Sequence, residues 1–147
     1  MSDSPEIEPR RSKILIVDDE RDIVEYLTMV LDDEGFVASG LTQTSGALEQ
    51  IITQRPDLVL LDVMMPGHTG LSLYRAMRGN AATQGIPVVI ISGYARKEEF
   101  AAMDLRELES GSLPRPEGYL EKPIAVATLL ATIRRLLGRH ETRSGTA

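Results

Sequence analysis

The sequence contains no cysteine and no tryptophan, and only two of its 147 residues are phenylalanine. Without cysteine, the chain has no disulfide framework, no thiolate metal site and no cysteine nucleophile. No apolar run approaches the about 20 residues that a membrane-spanning helix needs. The first twelve residues carry three acids, two prolines and no apolar segment, so we expect no signal peptide there. The sequence therefore predicts a soluble cytoplasmic protein.

Positive charge is also scarce, because the formal net charge is -6. Proteins that bind nucleic acid normally cluster lysine and arginine on one surface. The one basic cluster, Arg134, Arg135, Arg139 and His140, falls in the last turn of a predicted helix, where cations complement the helix dipole. We therefore expect no direct contact with nucleic acid.

What the sequence does contain is a regular alternation of strand-like and helix-like segments. Short apolar runs predict strands at residues 14–17, 36–39, 58–61, 88–91 and 118–121. Helical spacing of apolar residues predicts helices at residues 23–31, 48–52, 71–77, from about 97 to 108, and 126–137. This alternation is typical of a doubly wound α/β sandwich with a parallel sheet. The domain is predicted to span residues 13–138, between a disordered N-terminal extension (1–12) and a C-terminal tail (139–147).

Polar residues follow four of the predicted strands. Asp18 and Asp19 follow the first, Asp62 the third, Ser92 the fourth and Lys122 the fifth. Singly, each has an ordinary explanation as a helix cap or a solvated charge. The carboxyl ends of parallel strands meet at one edge of the sheet, where open α/β sheets bind ligands. We therefore expect these residues to converge.

Such a gathering of acids needs positive charge. Two carboxylates at about 4 Å repel by on the order of 4 kcal/mol at an effective dielectric near 20, and Lys122 supplies one positive charge only. Mg²⁺ can compensate the remaining negative charge, because it binds one or two carboxylates together with water and phosphate oxygens. A carboxylate in a site of this kind can act as a nucleophile and form an aspartyl phosphate. This interpretation makes Asp62 the nucleophile.

The same residues lie in motifs that resemble the receiver domain of bacterial two-component response regulators, of the chemotaxis-regulator type. The matching segments are ILIVDDE at 14–20, LLDVMMP at 60–66 with Gly67 and Gly70, IISG at 90–93, and YLEKP at 119–123. In combination these motifs are specific, and the resemblance spans about residues 13–138. It implies a flavodoxin-like fold with five parallel strands in the order 2-1-3-4-5.

The resemblance also implies roles for the polar residues. Asp62 is expected to be the phosphoacceptor, taking its phosphoryl group from a histidine kinase or a histidine phosphotransfer protein. Asp18 and Asp19 are expected to hold Mg²⁺ together with Asp62 and the backbone carbonyl of Met64. Lys122 is expected to pair with the phosphoryl group.

A conformational switch is the second implication of the resemblance. Ser92 would turn inward to hydrogen-bond the phosphoryl group, and Tyr119 would follow into the space vacated. This repacks the face formed by the fourth helix, the fifth strand and the last helix, which would bind an unknown downstream protein or a second copy of the chain. The resemblance also suggests a cis peptide bond between Lys122 and Pro123.

Some features depart from the family pattern or carry weaker signals. The thirty positions from Ser92 to Lys122 exceed the usual spacing, and the surplus falls in residues 104–118. This segment is either a surface for a specific partner or a tolerated loop. Met64 and Tyr94, which the resemblance places beside the phosphoryl pocket, could slow attack by water. His68 is interpreted as an exposed loop histidine, because no second histidine or cysteine stands nearby.

Three functions are open to a chain of this description. The first is a phosphoacceptor that assists its own phosphorylation and dephosphorylation but is otherwise not an enzyme. The second is a receiver-like module that binds partners without being phosphorylated, which the complete acidic set disfavours. The third is a small phosphatase or nucleotide-binding enzyme, which the missing glycine fingerprint and general base disfavour. We expect no output domain after Gly138, so the signal would travel through a partner unless the chain is a fragment.

Overall fold

The computed structural model describes residues 11–63, 70–93 and 114–145. Within these residues, five parallel strands form one sheet in the order β2-β1-β3-β4-β5. The strands are β1 (Lys13–Val17), β2 (Val37–Leu41), β3 (Leu58–Asp62), β4 (Val88–Gly93) and β5 (Gly118–Lys122). Both the parallel α/β sheet and the strand order confirm the sequence-based predictions.

Four helices are described: α1 (Arg21–Asp33), α2 (Ala47–Gln54), α3 (Gly70–Arg78) and α4 (Val126–Gly145). Gly35 follows α1 with a φ of +92°, a left-handed geometry that glycine adopts at no steric cost. That turn lets the N–H of Phe36 donate to the carbonyl oxygen of Leu31. The helix predicted to begin near Lys97 lies outside the described residues. Among the helices that are described, none is long and apolar enough to cross a membrane.

Several boundaries differ from the predictions, including those of β2 and of α4. β2 begins at Val37 and runs to Leu41, because all five of its residues pair with β1. Its ends are thus set by the ladder of the neighbouring strand, which a weakly apolar segment does not reveal. α4 continues to Gly145, so the helix extends past residue 138 into the predicted tail. Residues 1–10 of the predicted N-terminal extension are outside the described residues.

The two faces of the sheet carry separate apolar cores. Alternate residues of β1 divide between them, with Leu15 in the core under α2 and α3 and Ile16 in the core under α1 and α4. Both faces of β3 are covered, and every residue from Leu58 to Asp62 is buried. Asp62 therefore becomes buried as the last residue of a central strand, and it needs polar partners there.

A polar cluster closes the amino-terminal edge of the sheet. The side chain of Arg78, at the end of α3, is only 4% exposed and lies over the ring of Tyr74. It donates to the carbonyl oxygens of Gln84 (2.9 Å) and Ile86 (2.8 Å) and to Glu117 Oε1 (2.6 Å). We call Tyr74, Arg78 and Glu117 the Arg78 cluster.

The Arg78 cluster also fixes the chain that leads into β5. Glu117 Oε1 accepts a second hydrogen bond, from the backbone N–H of Val88 at 2.6 Å. The hydroxyl of Tyr74 donates to the carbonyl oxygen of Pro114. Residues 114–118, which end the predicted insertion, are thereby tied to α3 and β4. The remainder of the insertion, residues 104–113, lies outside the described residues.

Candidate functional site

Three strands carry a polar residue at their last or next-to-last position, at the carboxyl edge of the sheet. Asp62 pairs with Ile91, Ser92 with Glu121, and Lys122 with Gly93. These polar residues were predicted to follow their strands, yet each belongs to the ladder. Pairing with the neighbouring strands therefore fixes the backbone at these residues, which gives the site a rigid base.

Asp18 reaches the same edge from β1. Its N–H donates to the carbonyl oxygen of Leu41 at 3.0 Å, so it continues the line of the strand. Its Oδ1 accepts a hydrogen bond from the N–H of Glu20 at 2.9 Å, which shapes the turn into α1. The carbonyl oxygen of Glu20 then accepts from the N–H groups of Ile23 and Val24 in the first turn of the helix.

Lys122 joins these elements through its ammonium group. Its Nζ lies 3.0 Å from Asp18 Oδ2, 3.2 Å from Asp62 Oδ2 and 2.9 Å from Glu20 Oε1. Asp18 and Asp62 are buried, whereas the Glu20 side chain is 56% exposed. We call Lys122 and these three acids the Lys122 cluster. It brings together residues from β3, β5 and the turn between β1 and α1.

The electrostatics of the cluster favour additional positive charge. Burial raises the pKa of Asp18 to about 6, and the neighbouring charge of Asp62 acts in the same direction. The N–H of Glu20 and the ammonium of Lys122 oppose this rise but do not cancel it. Burial alone would lower the pKa of Lys122, but contacts with Glu20 and Asp18 and the charge of Asp62 raise it above its ordinary value. The single ammonium of Lys122 therefore does not fully compensate the negative charge of the acids around it.

The oxygen atoms suit a hard cation. Asp18, Asp19 and Glu20 each offer a carboxylate oxygen, and these atoms lie within 4.8 Å of one another. Asp18 Oδ2 is buried and, within the part of the chain that the structure describes, accepts no hydrogen bond although it faces Lys122. A buried anionic oxygen with unused acceptor capacity is suited to Mg²⁺. The residues present therefore fit the ion that the sequence predicts.

The predicted metal ligands are only partly placed together. Asp18 and Asp62 contact the same lysine nitrogen, and Asp19 is exposed beside Asp18. The predicted fourth ligand, the carbonyl of Met64, lies outside the described residues. Glu20 is the residue that the sequence reasoning missed. Its only signal was its place as the third acid in an uninterrupted acidic run.

Gly70 allows α3 to begin directly against the phosphoacceptor candidate. A Cβ at this position would collide with the carbonyl oxygen of Asp62 and lie 2.9 Å from Val63 Cα. The N–H of Gly70 donates to the carbonyl oxygen of Val63 at 3.1 Å. The matching glycine in the sequence motif therefore has a physical reason, since no larger residue permits this approach without a shift.

The predicted switch residues are well separated in exposure. Ser92 is buried at the end of β4, while 51% of Tyr119 on the edge strand β5 is exposed. The peptide bond between Lys122 and Pro123 is cis, as the resemblance suggested. Roles for Ser92 and Tyr119 in a switch stay predictions. The expectations for Tyr94 and His68 concern positions outside the described residues.

Comparison with known sequences gives a consistent result. Residues 14–134 match the model of the response regulator receiver domain. The chain is 38% identical over 131 residues to the DNA-binding response regulator MtrA of Mycolicibacterium smegmatis, an alignment covering 89% of this chain and 53% of that protein. It is 32% identical over 127 residues to the phosphate regulon transcriptional regulatory protein PhoB of Escherichia coli, covering 86% and 52%. The chain thus spans about half the length of these curated relatives.

Solved structures give the same result for the fold. A sensor protein from Polaromonas sp. JS666 superposes with a TM-score of 0.74 at 30% identity, covering 88% of this chain and 98% of that one. A CheY-like receiver domain protein from Methanospirillum hungatei superposes with a TM-score of 0.75 at 25% identity, covering 91% and 99%. The five-stranded arrangement around the Lys122 cluster is therefore shared with receiver-like domains.

Proposed function

This chain belongs to the response regulator receiver domain family, and from that membership we propose that it is a Mg²⁺-dependent phosphoacceptor that signals through protein binding. Asp62 accepts the phosphoryl group from a histidine kinase or a histidine phosphotransfer protein. The phosphorylated chain then changes its affinity for a downstream protein. A cytoplasmic location is part of the same proposal.

The observation that carries this proposal is the contact between Lys122 Nζ and Asp62 Oδ2 at the carboxyl edge of the sheet. Asp62 is 2% exposed, so its carboxylate is held in one place, and its closest described cation lies within hydrogen-bonding distance. Phosphoryl transfer depends mainly on positioning and on neutralising charge, and this arrangement provides both.

The transfer step assigns a part to each residue. A carboxylate oxygen of Asp62 forms a bond to phosphorus while the bond from phosphorus to the histidine nitrogen breaks, and the released imidazole takes up a proton. Lys122 stabilises the charge on the phosphoryl oxygens by donating hydrogen bonds. Asp18, Asp19 and Asp62 would hold Mg²⁺ with the carbonyl of Met64, and the ion would neutralise further phosphoryl charge.

The signalling step is proposed to act through Ser92 and Tyr119. Ser92 moves toward the new acceptor oxygens, and the exposed ring of Tyr119 moves inward in response. The surface that changes includes β5 and α4, and it is proposed to bind the downstream protein or a second copy of the chain. Direct binding to nucleic acid is not part of the proposal, since the formal net charge is -6.

Phosphorylation with acetyl phosphate tests the function directly. We expect the wild-type chain, incubated with acetyl phosphate and Mg²⁺, to gain one phosphoryl group by intact mass spectrometry. Asp62→Asn is expected to abolish the adduct. Asp57→Asn is a matched control, because Asp57 precedes the opposite end of β3 and accepts a hydrogen bond from the N–H of Lys13. This control should retain the adduct.

Three outcomes would contradict the proposal. No adduct on the wild-type chain would favour a module that binds partners without phosphorylation. An undiminished adduct on Asp62→Asn would place the modification elsewhere. Steady consumption of the phosphate donor without a labile protein adduct would instead indicate a hydrolytic enzyme.

A further inference from the structure

Glu20 differs from the other acids of the Lys122 cluster in its exposure. Its Oε1 lies 2.9 Å from Lys122 Nζ, the shortest of the three carboxylate contacts of that nitrogen. Its side chain is 56% exposed, compared with 3% for Asp62 and 0% for Asp18. The two buried acids hold the lysine from inside the protein, and Glu20 holds it from the solvent side.

The three acids share one ammonium group, which donates hydrogen bonds to Glu20 and Asp62 and forms an ion pair with Asp18. An ammonium group has three N–H donors, and three carboxylates surround this one. A phosphoryl group on Asp62 would bring new acceptor oxygens to the same nitrogen. These oxygens would compete with Glu20 and Asp62 for the N–H groups that already donate to them.

Exposure decides which contact breaks most easily. A buried carboxylate that loses its cation is left without hydration, which carries a large free-energy penalty. An exposed carboxylate that loses its cation is hydrated at once, and such surface pairs contribute little to stability. The contact with Glu20 is therefore the one that a phosphoryl group displaces at least cost.

We propose that Glu20 is a positioning residue that holds Lys122 before phosphorylation and competes with the phosphoryl group for its ammonium. This inference rests on the proposed function and adds a regulatory element to the same site. Glu20 keeps the lysine near Asp62 in the resting protein. It also weakens the binding of a phosphoryl group, because that group competes with Glu20 for the ammonium.

Binding of beryllium fluoride with saturating Mg²⁺ provides the test, since this complex mimics the phosphoryl group on a carboxylate. Dissociation constants would be measured from backbone amide shifts by NMR. Glu20→Asp keeps the charge but withdraws the carboxylate by one methylene group from a 2.9 Å contact. Because an exposed pair is weak, we expect Glu20→Asp and Glu20→Gln to bind beryllium fluoride about two- to fivefold more tightly than the wild-type chain.

Controls distinguish loss of the contact between Glu20 and Lys122 from other effects of the substitutions. Glu25, an exposed acid of α1, permits the matched substitutions Glu25→Asp and Glu25→Gln, which should leave affinity unchanged. The helix start should survive in the Glu20 variants, because the Glu20 side chain makes no capping hydrogen bond. Mg²⁺ affinity without beryllium fluoride, measured by the same shifts, shows whether either Glu20 variant has lost a metal ligand.

Each contrary result has a definite meaning. If Glu20→Asp binds beryllium fluoride as the wild type does, the proposed competition is wrong, even if Glu20→Gln binds more tightly through charge alone. If both variants lose Mg²⁺ affinity, Glu20 is a metal ligand and the inference is overturned. If the wild-type chain itself does not bind, the proposed function fails first and this inference fails with it.

Discussion

The two ends of the sheet carry polar clusters of opposite character. At the amino edge, Arg78 engages one carboxylate, two backbone carbonyl oxygens and one aromatic ring. At the carboxyl edge, Lys122 is shared by three carboxylates, and Asp18 Oδ2 accepts no hydrogen bond from the described residues. One cluster is balanced in charge and donors, and the other has an excess of acid.

This difference separates a structural cluster from a binding site. The Arg78 cluster is complete by itself, so removing any member leaves a partner unsatisfied. The Lys122 cluster is incomplete by itself, so its acids repel one another until a cation arrives. Neutralising one acid should therefore have opposite effects on stability at the two edges.

The largest effect is expected from Arg78→Met. This change leaves two carbonyl oxygens without their donor and Glu117 without its cation, so we expect the free energy of unfolding to fall by about 2–4 kcal/mol. Urea unfolding measures the change. Arg134→Met is the matched control, because Arg134 pairs with Glu34 at 2.7 Å on the exposed surface, where a pair contributes at most about 1 kcal/mol. Equal losses in both variants would contradict a structural role for the Arg78 cluster.

A smaller effect of opposite sign is expected from Asp18→Asn without divalent ions at pH 7. Burial raises the pKa of Asp18 to about 6, so its ionised form is disfavoured in the folded protein. Removing the charge should stabilise the fold by about 1–2 kcal/mol in urea unfolding. Glu117→Gln, which weakens acceptors for Arg78 and Val88, should destabilise it. A loss of stability in Asp18→Asn would show that the Lys122 cluster is already balanced.

The pH dependence sharpens the same test. The pKa of Asp18 is higher in the folded chain than its ordinary value of 3.8, so the folded state binds the extra proton between about pH 4 and 6. The contribution of Asp18 to stability therefore falls as the pH rises through this window. The advantage of Asp18→Asn should be full at pH 7 and should vanish near pH 4.

The smallest effect is expected from adding Mg²⁺. At a concentration ten times its dissociation constant, an ion that binds only the folded chain stabilises it by about 1.4 kcal/mol. We expect this increase in the wild-type chain and in Arg78→Met, but not in Asp18→Asn. Urea unfolding with and without Mg²⁺ measures it. An equal increase in all three proteins would place the ion outside the Lys122 cluster.

Prediction from sequence succeeded where one segment carries its own signal. The apolar run of β3 predicts a buried central strand that ends in an acid, Asp62, at the carboxyl edge, and the structure places both there. Gly35 and Pro56 similarly mark the ends of α1 and α2. The prediction of the ends of β2 was less accurate, because those ends depend on pairing with β1.

Contacts between distant segments could not be predicted in the same way. The pairing of Arg78 with Glu117 joins residues 39 positions apart, and the pairing of Glu20 with Lys122 joins residues 102 positions apart. Neither pair has a local pattern, since an isolated charge in a sequence usually predicts solvent exposure. Their burial and partners become evident only when the sheet is assembled.

The sequence by itself determined the chain order of the described strands and helices, the family, and the placement of Asp18, Asp62 and Lys122 at one edge, because these depend on local periodicity and motif spacing. The tertiary structure alone decided how charge is distributed between the edges. It buries Asp18 and Asp62 but leaves Glu20 in solvent, although all three contact the same lysine. Burial sets the free-energy penalty of an unpaired charge, so it also determines which of these contacts is exchangeable.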